Sequence, residues 1–338
     1  MNPAQKNPLG RTKLPVTAFS LGLAPIGNFL KPISDAESDA MIQTAWDAGI
    51  RYFDTAPLYG HGLSELRTGH SLRWKNRDDY VLSSKVGRLL TPAKRETINF
   101  APWVNAGAFK VHFDYSYDGT MRSIEDSLQR LGLERMEIAF VHDSDIFTHG
   151  PEKQPEMFRQ AMSGAVKALL KLRDEKVVTA IGFGCNEWQV CHTALQQADL
   201  DCFLLAGRYT LLEQDALDEF LPLCEKRGAA VVVGGGFNSG ILATGAKPGA
   251  KYNYTPAPAD IMAKVAKIEK VCAEFNVPLP AAALQFVVAH PAVPSFIAGT
   301  RTVEQLNQNL DWFTHPIPKE FWATLKKQNL MLENAPVP

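Results

Sequence analysis

Three apolar segments set the fold of this chain: RYFDTAP (51–57), YVLSSKVG (80–87) and MEIAFVHD (136–143). Each is short, and each is mostly apolar until a polar residue appears near its C-terminal end. Apolar runs of this length are typical of strands buried on both faces, as in parallel sheets. Five more segments share the pattern: AFSLGLAPIG (18–27), VTAIGFGCN (178–186), CFLLAGRYT (202–210), AAVVVGGGF (229–237) and VPSFIAGT (293–300). We therefore predict eight parallel strands.

Segments with helical periodicity separate the strand candidates. In SDAESDAMIQTAWDAG (34–49), Ser34 suits a helix N-terminus and Gly49 suits a C-terminal stop. The other helix candidates are residues 116–132, 155–176, 214–228 and 302–313. Eight strand and helix units on mostly short connections favour a closed (β/α)8 TIM barrel, an α/β fold, over an open sheet. We expect one domain over residues 1–338, with a short N-terminal hairpin within 9–22.

The composition of the 338 residues restricts the class of protein. Hydrophobic residues make up 46% and charged residues 21%, which is ordinary for a globular protein with a large core. The formal net charge is -1, and no long run of Lys or Arg occurs. This pattern argues against nucleic acid or an anionic membrane surface as a partner, and it leaves a small molecule as the expected ligand.

The lack of targeting signals and the spacing of the cysteines predict a cytoplasmic protein. The first residues, MNPAQKNPLGRTKL (1–14), lack the apolar stretch of a secretory signal, and no apolar run approaches the roughly 20 residues that span a bilayer. The five cysteines show no CxxC or CxxH spacing, so we interpret them as reduced thiols. The sequence leaves the oligomeric state open.

Four ionisable residues follow three successive strand candidates, namely Asp54, Tyr59, Lys85 and His142. Barrel enzymes build their active sites at the C-terminal ends of the strands, so we expect these side chains around one cavity. There, a neighbouring Lys85 cation is expected to lower the pKa of the Tyr59 phenol, which is near 10 when free. Asp54 would hold the lysine charged, and His142 would hydrogen-bond a substrate oxygen.

Each of these residues also has an explanation without chemistry, because an Asp or Lys can cap a helix or form a rim ion pair and a lone His is commonly packed in a core. Only the combination points to a site. A metal-dependent hydrolase with Asp54, His142 and Asp143 as ligands is a further alternative. It would place Lys85 as a repelling cation among the ligands, and no His-x-His pattern or carboxylate cluster completes the site, so we expect no metal.

The connection from Arg88 to about Tyr117 is long and rich in aromatic residues. Long ordered loops in compact domains tend to be functional. Two interpretations remain open here, a lid that faces the substrate and a surface insertion whose aromatics form a separate cluster.

The ordered segments FDTAPLYG (53–60), LSSKVG (82–87), IAFVHDSD (138–145) and PSFIAGTRTVEQLNQNL (294–310) resemble the aldo-keto reductase family, from about Leu14 to Trp312. The resemblance implies an eight-stranded α/β barrel and an NAD(P)-dependent oxidoreductase. It also implies that Tyr59 is the proton donor or acceptor, that Asp54 and Lys85 tune it, and that His142 positions the reacting oxygen.

In that family the dinucleotide lies extended across the barrel mouth, which agrees with the failure of GFGCNE (182–187) and GGGFNSG (234–240) to match a Rossmann motif. The resemblance implies contacts near the nicotinamide and pyrophosphate from Asn186, Phe237, Ser239 and Gly240. Near the adenosine it implies contacts from Gly299, Thr300, Arg301, Gln305, Gln308 and Asn309. Without a ligand, the same residues would form a Gly-rich turn and a capped surface helix.

The residues expected near the adenosine lack the cations that would bind a 2'-phosphate, which favours NAD over NADP. Many NADP-using relatives carry a Lys and an Arg where this chain has Gly299 and Gln305. Loss of both cations would weaken recognition of the 2'-phosphate dianion. Arg301 keeps NADP possible.

Four segments, residues 113–145, 182–191, 204–214 and 234–242, resemble a narrower group of D-threo-aldose (L-fucose) and pyridoxal dehydrogenases. The resemblance implies oxidation, and we favour an aldose oxidised at C1 to an aldonolactone. Conversion of pyridoxal to 4-pyridoxolactone is the alternative, and a non-catalytic NAD(P)-binding regulatory subunit is an alternative of another class. Trp103 and Trp188 could stack on either substrate or simply pack in the core.

Overall fold

The chain forms fourteen β-strands and twelve α-helices, and the computed structural model describes residues 1–338. The strands are β1 Lys6–Pro8, β2 Pro15–Thr17, β3 Phe19–Gly22, β4 Tyr52–Asp54, β5 Val81–Val86, β6 Arg88–Pro92, β7 Phe109–Phe113, β8 Ile138–His142, β9 Ala180–Cys185, β10 Cys202–Ala206, β11 Ala230–Gly234, β12 Lys251–Tyr252, β13 Thr255–Pro256 and β14 Ser295–Gly299. The helices are α1 Asp35–Asp47, α2 Leu63–Leu72, α3 Tyr117–Leu131, α4 Ile146–Gln160, α5 Val166–Asp174, α6 Trp188–Gln197, α7 Phe220–Arg227, α8 Ile241–Thr244, α9 Ala259–Glu274, α10 Leu279–Val287, α11 Val303–Thr314 and α12 Lys319–Lys327.

Eight of the strands close into a parallel barrel, and each lies within one of the eight predicted segments. Their order around the barrel is β3, β4, β5, β8, β9, β10, β11 and β14, with β14 pairing back onto β3. The barrel strands are almost completely buried, which explains their apolar sequences. The predicted (β/α)8 fold is confirmed.

A short N-terminal hairpin is present as the antiparallel pair β1 and β2, but its first strand, Lys6–Pro8, lies before the predicted segment 9–22. The hairpin lies at the end of the barrel where the strands begin, and the amide of Arg11 donates to the carbonyl of Gly228 there at 2.8 Å. Leu9 and Val16 are fully buried in a cluster with side chains from the barrel strands. The hairpin therefore closes the N-terminal end, and only the opposite end is open.

Helix ends agree well with their sequence signals. Ser34 caps α1 through a reciprocal capping box with Glu37, and Gly49 follows the helix with φ +83°.

The helix predicted at 155–176 begins earlier than expected, because α4 starts at Ile146 and continues through a π-helical turn at Ala161–Ala165 into α5. A kink at Gly150 interrupts the helical periodicity, so the first turn of α4 is not evident in the sequence.

The long connection after β5 is an antiparallel hairpin, β6 and β7, with Arg88 paired to Phe113. Its tip, residues 93–108, folds back over the open end of the barrel. The sequence predicts only a long loop here. Both strands are half exposed and contain no long apolar run, so they leave no strand pattern in the sequence. A second small hairpin, β12 and β13, lies at the same end.

The five cysteines are all buried free thiols, as their spacing predicted. No helix in the structure is both long enough and apolar enough to cross a membrane.

Candidate functional site

A cavity of about 980 Å³ opens at the C-terminal ends of the barrel strands. Tyr59, Lys85 and His142 line its floor, and the β6–β7 hairpin and its tip form one wall. Its size lies at the upper end of the range for small-molecule sites, roughly 300–1,000 Å³. The structure therefore brings these predicted residues to one cavity, with Asp54 directly behind them.

Lys85 and Asp54 form an ion pair beneath this cavity. Lys85 Nζ donates to Asp54 Oδ2 at 2.7 Å and to the carbonyl oxygen of Thr55 at 2.9 Å, while Ser83 Oγ donates to Asp54 Oδ1 at 2.7 Å. The lysine and aspartate side chains are 1% and 3% exposed. Burial disfavours the cation, but Asp54 and Tyr59 outweigh it and raise the pKa of Lys85. The ammonium is therefore charged and fixed in place.

Tyr59 lies between this ion pair and the open cavity. Lys85 Nζ is 4.6 Å from the centre of the Tyr59 ring, and the Trp103 ring is 5.7 Å away on the cavity side. A neighbouring lysine cation alone would lower the pKa of the phenol, as predicted from the sequence. Instead, burial outweighs the lysine cation and raises the pKa of Tyr59 to about 12. The neutral phenol is therefore the resting form at pH 7.

His142 ends β8 next to Tyr59, with the two ring centres 6.0 Å apart. Arg88 Nη1 lies 3.2 Å from His142 Nδ1 and 2.8 Å from Asp143 Oδ2. Burial lowers the pKa of His142 well below its usual value, and the cations of Arg88 and Lys85 act in the same direction. The imidazole at this site is neutral.

Arg88 is a site residue that was not predicted from the sequence, and Asp143 was predicted only as a metal ligand of the alternative hydrolase. Both side chains are nearly buried, with 7% and 14% exposure. The one sequence signal for them is closeness to predicted site residues, because Arg88 follows Lys85 by three residues and Asp143 follows His142 directly. Nothing in the sequence shows that the chain turns back after β5 and brings the arginine to the histidine.

The residues predicted near the nicotinamide surround one side of the cavity. Asn186 Nδ2 lies 3.3 Å from Asp143 Oδ1 and 3.3 Å from Asp145 Oδ2, so its carbonyl oxygen remains available for a ligand. Ser239 also lines the cavity, and its Oγ accepts from the amide of Tyr254 at 2.9 Å. Gly240 adopts φ +106°, and an added Cβ would meet no atom within 4 Å. This backbone is therefore accessible to an extended ligand.

Phe237 does not reach the cavity. Its side chain packs against the core, with ring centres 6.4 Å from Phe296 and 6.3 Å from Trp312. The phenyl ring therefore cannot stack on a ligand in the mouth, and only the backbone of Phe237 is available near the rim.

The segment after β14 lies on the outer rim, beyond the cavity. Gly299 is exposed, and an added Cβ would come no closer than 3.7 Å to Pro25. Thr300 points the other way, because it is 1% exposed and its hydroxyl lies 3.2 Å from Met41 Sδ. The predicted hydroxyl contact from Thr300 is therefore wrong, since the side chain is turned into the core.

The first turn of α11 is largely capped by the chain itself. Thr302 Oγ1 accepts from the amide of Gln305 at 3.2 Å, and Gln305 Oε1 accepts from the amide of Arg301 at 3.0 Å. Arg301 Nη2 donates to the carbonyl of Phe29 at 2.9 Å. Gln308 is exposed on α11, whereas Asn309 is buried at 6% exposure. Of the predicted residues on this segment, Gly299, Gln305 and Gln308 are the accessible ones.

The two tryptophans proposed as substrate contacts have different positions. Trp103 lines the cavity at 6% exposure and packs against Phe29, with ring centres 5.2 Å apart. Trp188 begins α6, packs against the core and lies 6.2 Å from the His192 ring, away from the cavity. The placement of Trp188 at the substrate is therefore wrong, because α6 turns that ring outside the barrel.

The β6–β7 hairpin and its tip are held over the cavity by contacts with the barrel loops. His61 Nδ1 lies 2.7 Å from the carbonyl of Phe109, and the amide of Gly107 donates to the carbonyl of Gly60 at 2.9 Å. Residues of the tip, including Trp103, line the cavity. The segment therefore faces the cavity, and its aromatic residues do not form a separate surface cluster. No three side chains of His, Cys, Asp and Glu converge into a metal-binding group.

Comparisons with known proteins agree with this geometry. Residues 18–329 match the sequence model of the Aldo/keto reductase family. The chain is 46% identical to a pyridoxal 4-dehydrogenase of Microbacterium luteolum, over 97% of this chain and 98% of the relative. It is 38% identical to a D-threo-aldose 1-dehydrogenase of a Pseudomonas species, over 94% and 95%. An aldo-keto reductase of Bacillus halodurans in its holo form shares the fold, with a TM-score of 0.74 at 22% identity over 99% and 98%.

Proposed function

Because the chain belongs to the aldo/keto reductase family and is an NAD(P)-dependent oxidoreductase, we propose that it oxidises the hydroxyl of a cyclic hemiacetal to a lactone. The observation that supports this most directly is the buried Lys85–Asp54 pair beneath Tyr59 on the floor of the cavity. The two relatives above are named for a pyridoxal and for an aldose, and both compounds form cyclic hemiacetals. One reaction therefore accounts for both.

The proposed proton transfer uses Tyr59 and His142. A bound nicotinamide dinucleotide supplies the hydride acceptor. The Tyr59 phenol first loses its own proton to water. The substrate hydroxyl then gives its proton to the ionised Tyr59 oxygen, its carbon loses a hydride, and the C–O bond becomes the lactone carbonyl. His142 donates a hydrogen bond to the same oxygen and fixes its orientation. Lys85, held by Asp54, stabilises the ionised form of Tyr59 that accepts the proton.

The residues around the rim fit an extended dinucleotide. We assign Asn186 to the carboxamide of the nicotinamide, through its free carbonyl oxygen. Ser239, Gly240 and the backbone of Phe237 are assigned to the pyrophosphate. The adenosine end is assigned to the accessible residues Gly299, Gln305 and Gln308, with Arg301 and Asn309 flanking them.

We propose NAD as the preferred cofactor. Glu304 is exposed in the first turn of α11, where its own amide and the Thr302 hydroxyl lower the pKa of its carboxyl group. A carboxylate here accepts hydrogen bonds from a ribose diol but repels a 2'-phosphate. Arg301, the remaining cation, is directed to the carbonyl of Phe29.

For the substrate we place pyridoxal ahead of an aldose, which reverses the preference from sequence alone. The cavity wall facing Tyr59 is aromatic and apolar, and includes Phe29, Trp103 and Phe113. A flat pyridine ring suits such walls, whereas a pyranose would place several hydroxyls against an apolar surface. Arg88 and Asp143, two charged residues that line the cavity, are paired with each other. The aldose, L-fucose included, remains the second candidate because of the 38% identical relative.

The test is a substrate and cofactor panel. The purified protein is assayed with NAD and with NADP against pyridoxal, L-fucose and other D-threo aldoses, following the absorbance of the reduced nicotinamide, and the product is identified by mass spectrometry. We expect a lactone from pyridoxal with NAD at the highest kcat/KM. A higher value for an aldose would select the second candidate. Turnover of none of the hemiacetals would overturn the proposed reaction.

A further inference from the structure

We propose that Arg88 is a positioning residue that holds His142 in the tautomer with its proton on Nε2, so that this nitrogen donates to the substrate oxygen. The inference rests on the proposed function for the identity of that oxygen. The tautomer itself is a property of the free protein and can be tested separately.

The contact between the two side chains defines the direction of the hydrogen bond. Arg88 Nη1 lies 3.2 Å from His142 Nδ1. A guanidinium carries five N–H donors and no acceptor, so Nδ1 must be the acceptor. A neutral imidazole has one N–H group, which then resides on Nε2. Asp143 Oδ2, 3.2 Å from Nε2, favours the same form from the other side of the ring, and Arg88 holds that carboxylate in place at 2.8 Å.

The charges around the ring keep it neutral. The groups that face His142 are Tyr59, Lys85, Arg88 and Asp143. Two of them are cations that oppose protonation, and burial acts in the same direction. Asp143 Oδ2 lies 3.2 Å from Nε2, so the N–H has an anionic acceptor nearby in the free protein. The imidazole is therefore held as a donor and does not become a second acid.

The backbone places Arg88 for this contact. Gly87 has φ +100°, and an added Cβ would lie 2.3 Å from the Tyr115 ring, so the turn between β5 and β6 requires glycine. The Tyr115 hydroxyl donates to the carbonyl of His142 at 2.7 Å, and the guanidinium lies 5.0 Å from the Phe113 ring centre. The ion pair of Arg88 with Asp143 at 2.8 Å fixes the guanidinium from the other side. The turn at Gly87, the Phe113 ring and the Asp143 carboxylate together hold Arg88 in this position.

Nitrogen NMR of the imidazole side chains tests the inference on the free protein. The chain has eight histidines, and His142→Asn identifies the resonances of His142 by their loss. In the wild-type protein we expect an unprotonated Nδ1 that accepts a hydrogen bond and a protonated Nε2. A wild-type spectrum with the proton on Nδ1 would overturn the inference, whatever the variants do.

Arg88→Met and Arg88→Lys test the cause. We expect Arg88→Met to give a mixture of tautomers and a kcat lower by about 10–100-fold, with a much smaller change in KM, as for other residues that orient a reacting group. Arg88→Lys retains a charged donor and should restore part of both. Arg95→Met is the matched control, because Arg95 lies in the same connection and donates to the carbonyl of Ala106 at 3.0 Å without lining the cavity.

The outcomes separate the two proposals. If Arg88→Met leaves the His142 resonances unchanged, or if Arg95→Met changes them equally, Arg88 does not set the tautomer. If the wild-type protein shows the expected tautomer but forms no lactone from any hemiacetal, the proposed function fails and the inference stands. Should Arg88→Met fail to fold, the wild-type and Arg88→Lys spectra still decide the question.

Discussion

Buried charges occur at both ends of the barrel, but they do different things. At the closed N-terminal end, Asp201 accepts from Arg11 at 3.0 Å, from Arg173 at 2.9 Å and from the amide of Ile181 at 3.1 Å. At the open end, Asp54 accepts from Lys85 and Ser83, each at 2.7 Å. Both carboxylates are almost fully buried and well satisfied. Pairing alone therefore does not mark a catalytic site.

The difference lies in what the pairs face. Arg11 and Arg173 are side chains at the protein surface, 38% and 18% exposed, and they connect the hairpin and helices to the barrel. Lys85 is 1% exposed and faces Tyr59, which borders the cavity. A charge held beneath an open cavity acts on a ligand, whereas a charge that reaches water is screened. A buried charge therefore indicates a catalytic site only when it is paired and also lies next to a cavity.

Removing the phenol tests this contrast most severely. We predict that Tyr59→Phe lowers kcat by about 10³–10⁴-fold, because the proton acceptor is lost, while dinucleotide binding measured by fluorescence titration changes little. Tyr80→Phe removes a buried hydroxyl that lies outside the cavity and serves as the control. Near-normal turnover in Tyr59→Phe would refute its role as the proton acceptor.

The two buried carboxylates can be compared directly by neutralising each. Asp54→Asn leaves the Lys85 cation buried, and we expect the free energy of unfolding in urea to fall by about 3–5 kcal/mol. Asp201→Asn should cost about 1–2 kcal/mol, because its arginines reach water, and should leave kcat unchanged. Equal losses of stability, or a loss of kcat in Asp201→Asn, would contradict the contrast between the two ends.

The pH profile follows from the pKa of Tyr59, which is raised to about 12. The phenol is neutral below this pKa and can accept a proton only when ionised. The kcat for oxidation should therefore rise with pH across about pH 6–10, by up to about tenfold per unit where this ionisation limits the rate. Reduction, which needs the neutral phenol, should not rise.

Lys85→Met should displace that rise to higher pH, because the cation that opposes the effect of burial on Tyr59 is lost. Asp201→Asn should leave the profile in place. An oxidation rate that falls with pH, or an unchanged profile in Lys85→Met, would show that another group accepts the proton.

The smallest effect is expected at the rim of the mouth, where charges are exposed. Glu304→Lys should shift the ratio of the Kd values for NAD and NADP toward NADP by about 3–10-fold, since a surface charge is partly screened. Glu320→Lys, at the start of α12, is a matched control with no assigned role. Equal shifts in both variants would remove Glu304 from cofactor selection.

Much of the fold was predictable because its signals are local. A buried parallel strand must be apolar and short, and a helix end needs a cap such as Ser34, so both are evident in a few consecutive residues. The convergence of Asp54, Lys85 and His142 was also predictable, since strands of a parallel barrel end on the same side. Arg88 was missed because its place depends on the turn at Gly87 and on the hairpin that follows.

Other misses have the same origin. No feature of the sequence distinguishes the positions of Trp103 and Trp188. Packing directs the ring of Trp103 into the cavity and the ring of Trp188 outside the barrel. Thr300 follows an exposed Gly299, yet its hydroxyl faces Met41, because a change of one position reverses the direction of a side chain at a strand end.

The sequence alone determines the barrel, the four ionisable residues at its mouth and the chemistry that these residues share with a family. Each of these depends on local sequence pattern and on the common direction of parallel strands. The protonation state of Tyr59, the partner of His142 and the aromatic wall above them depend on distances between residues far apart in the chain. Desolvation and Coulomb interactions change steeply over a few ångströms, so packing alone sets their balance.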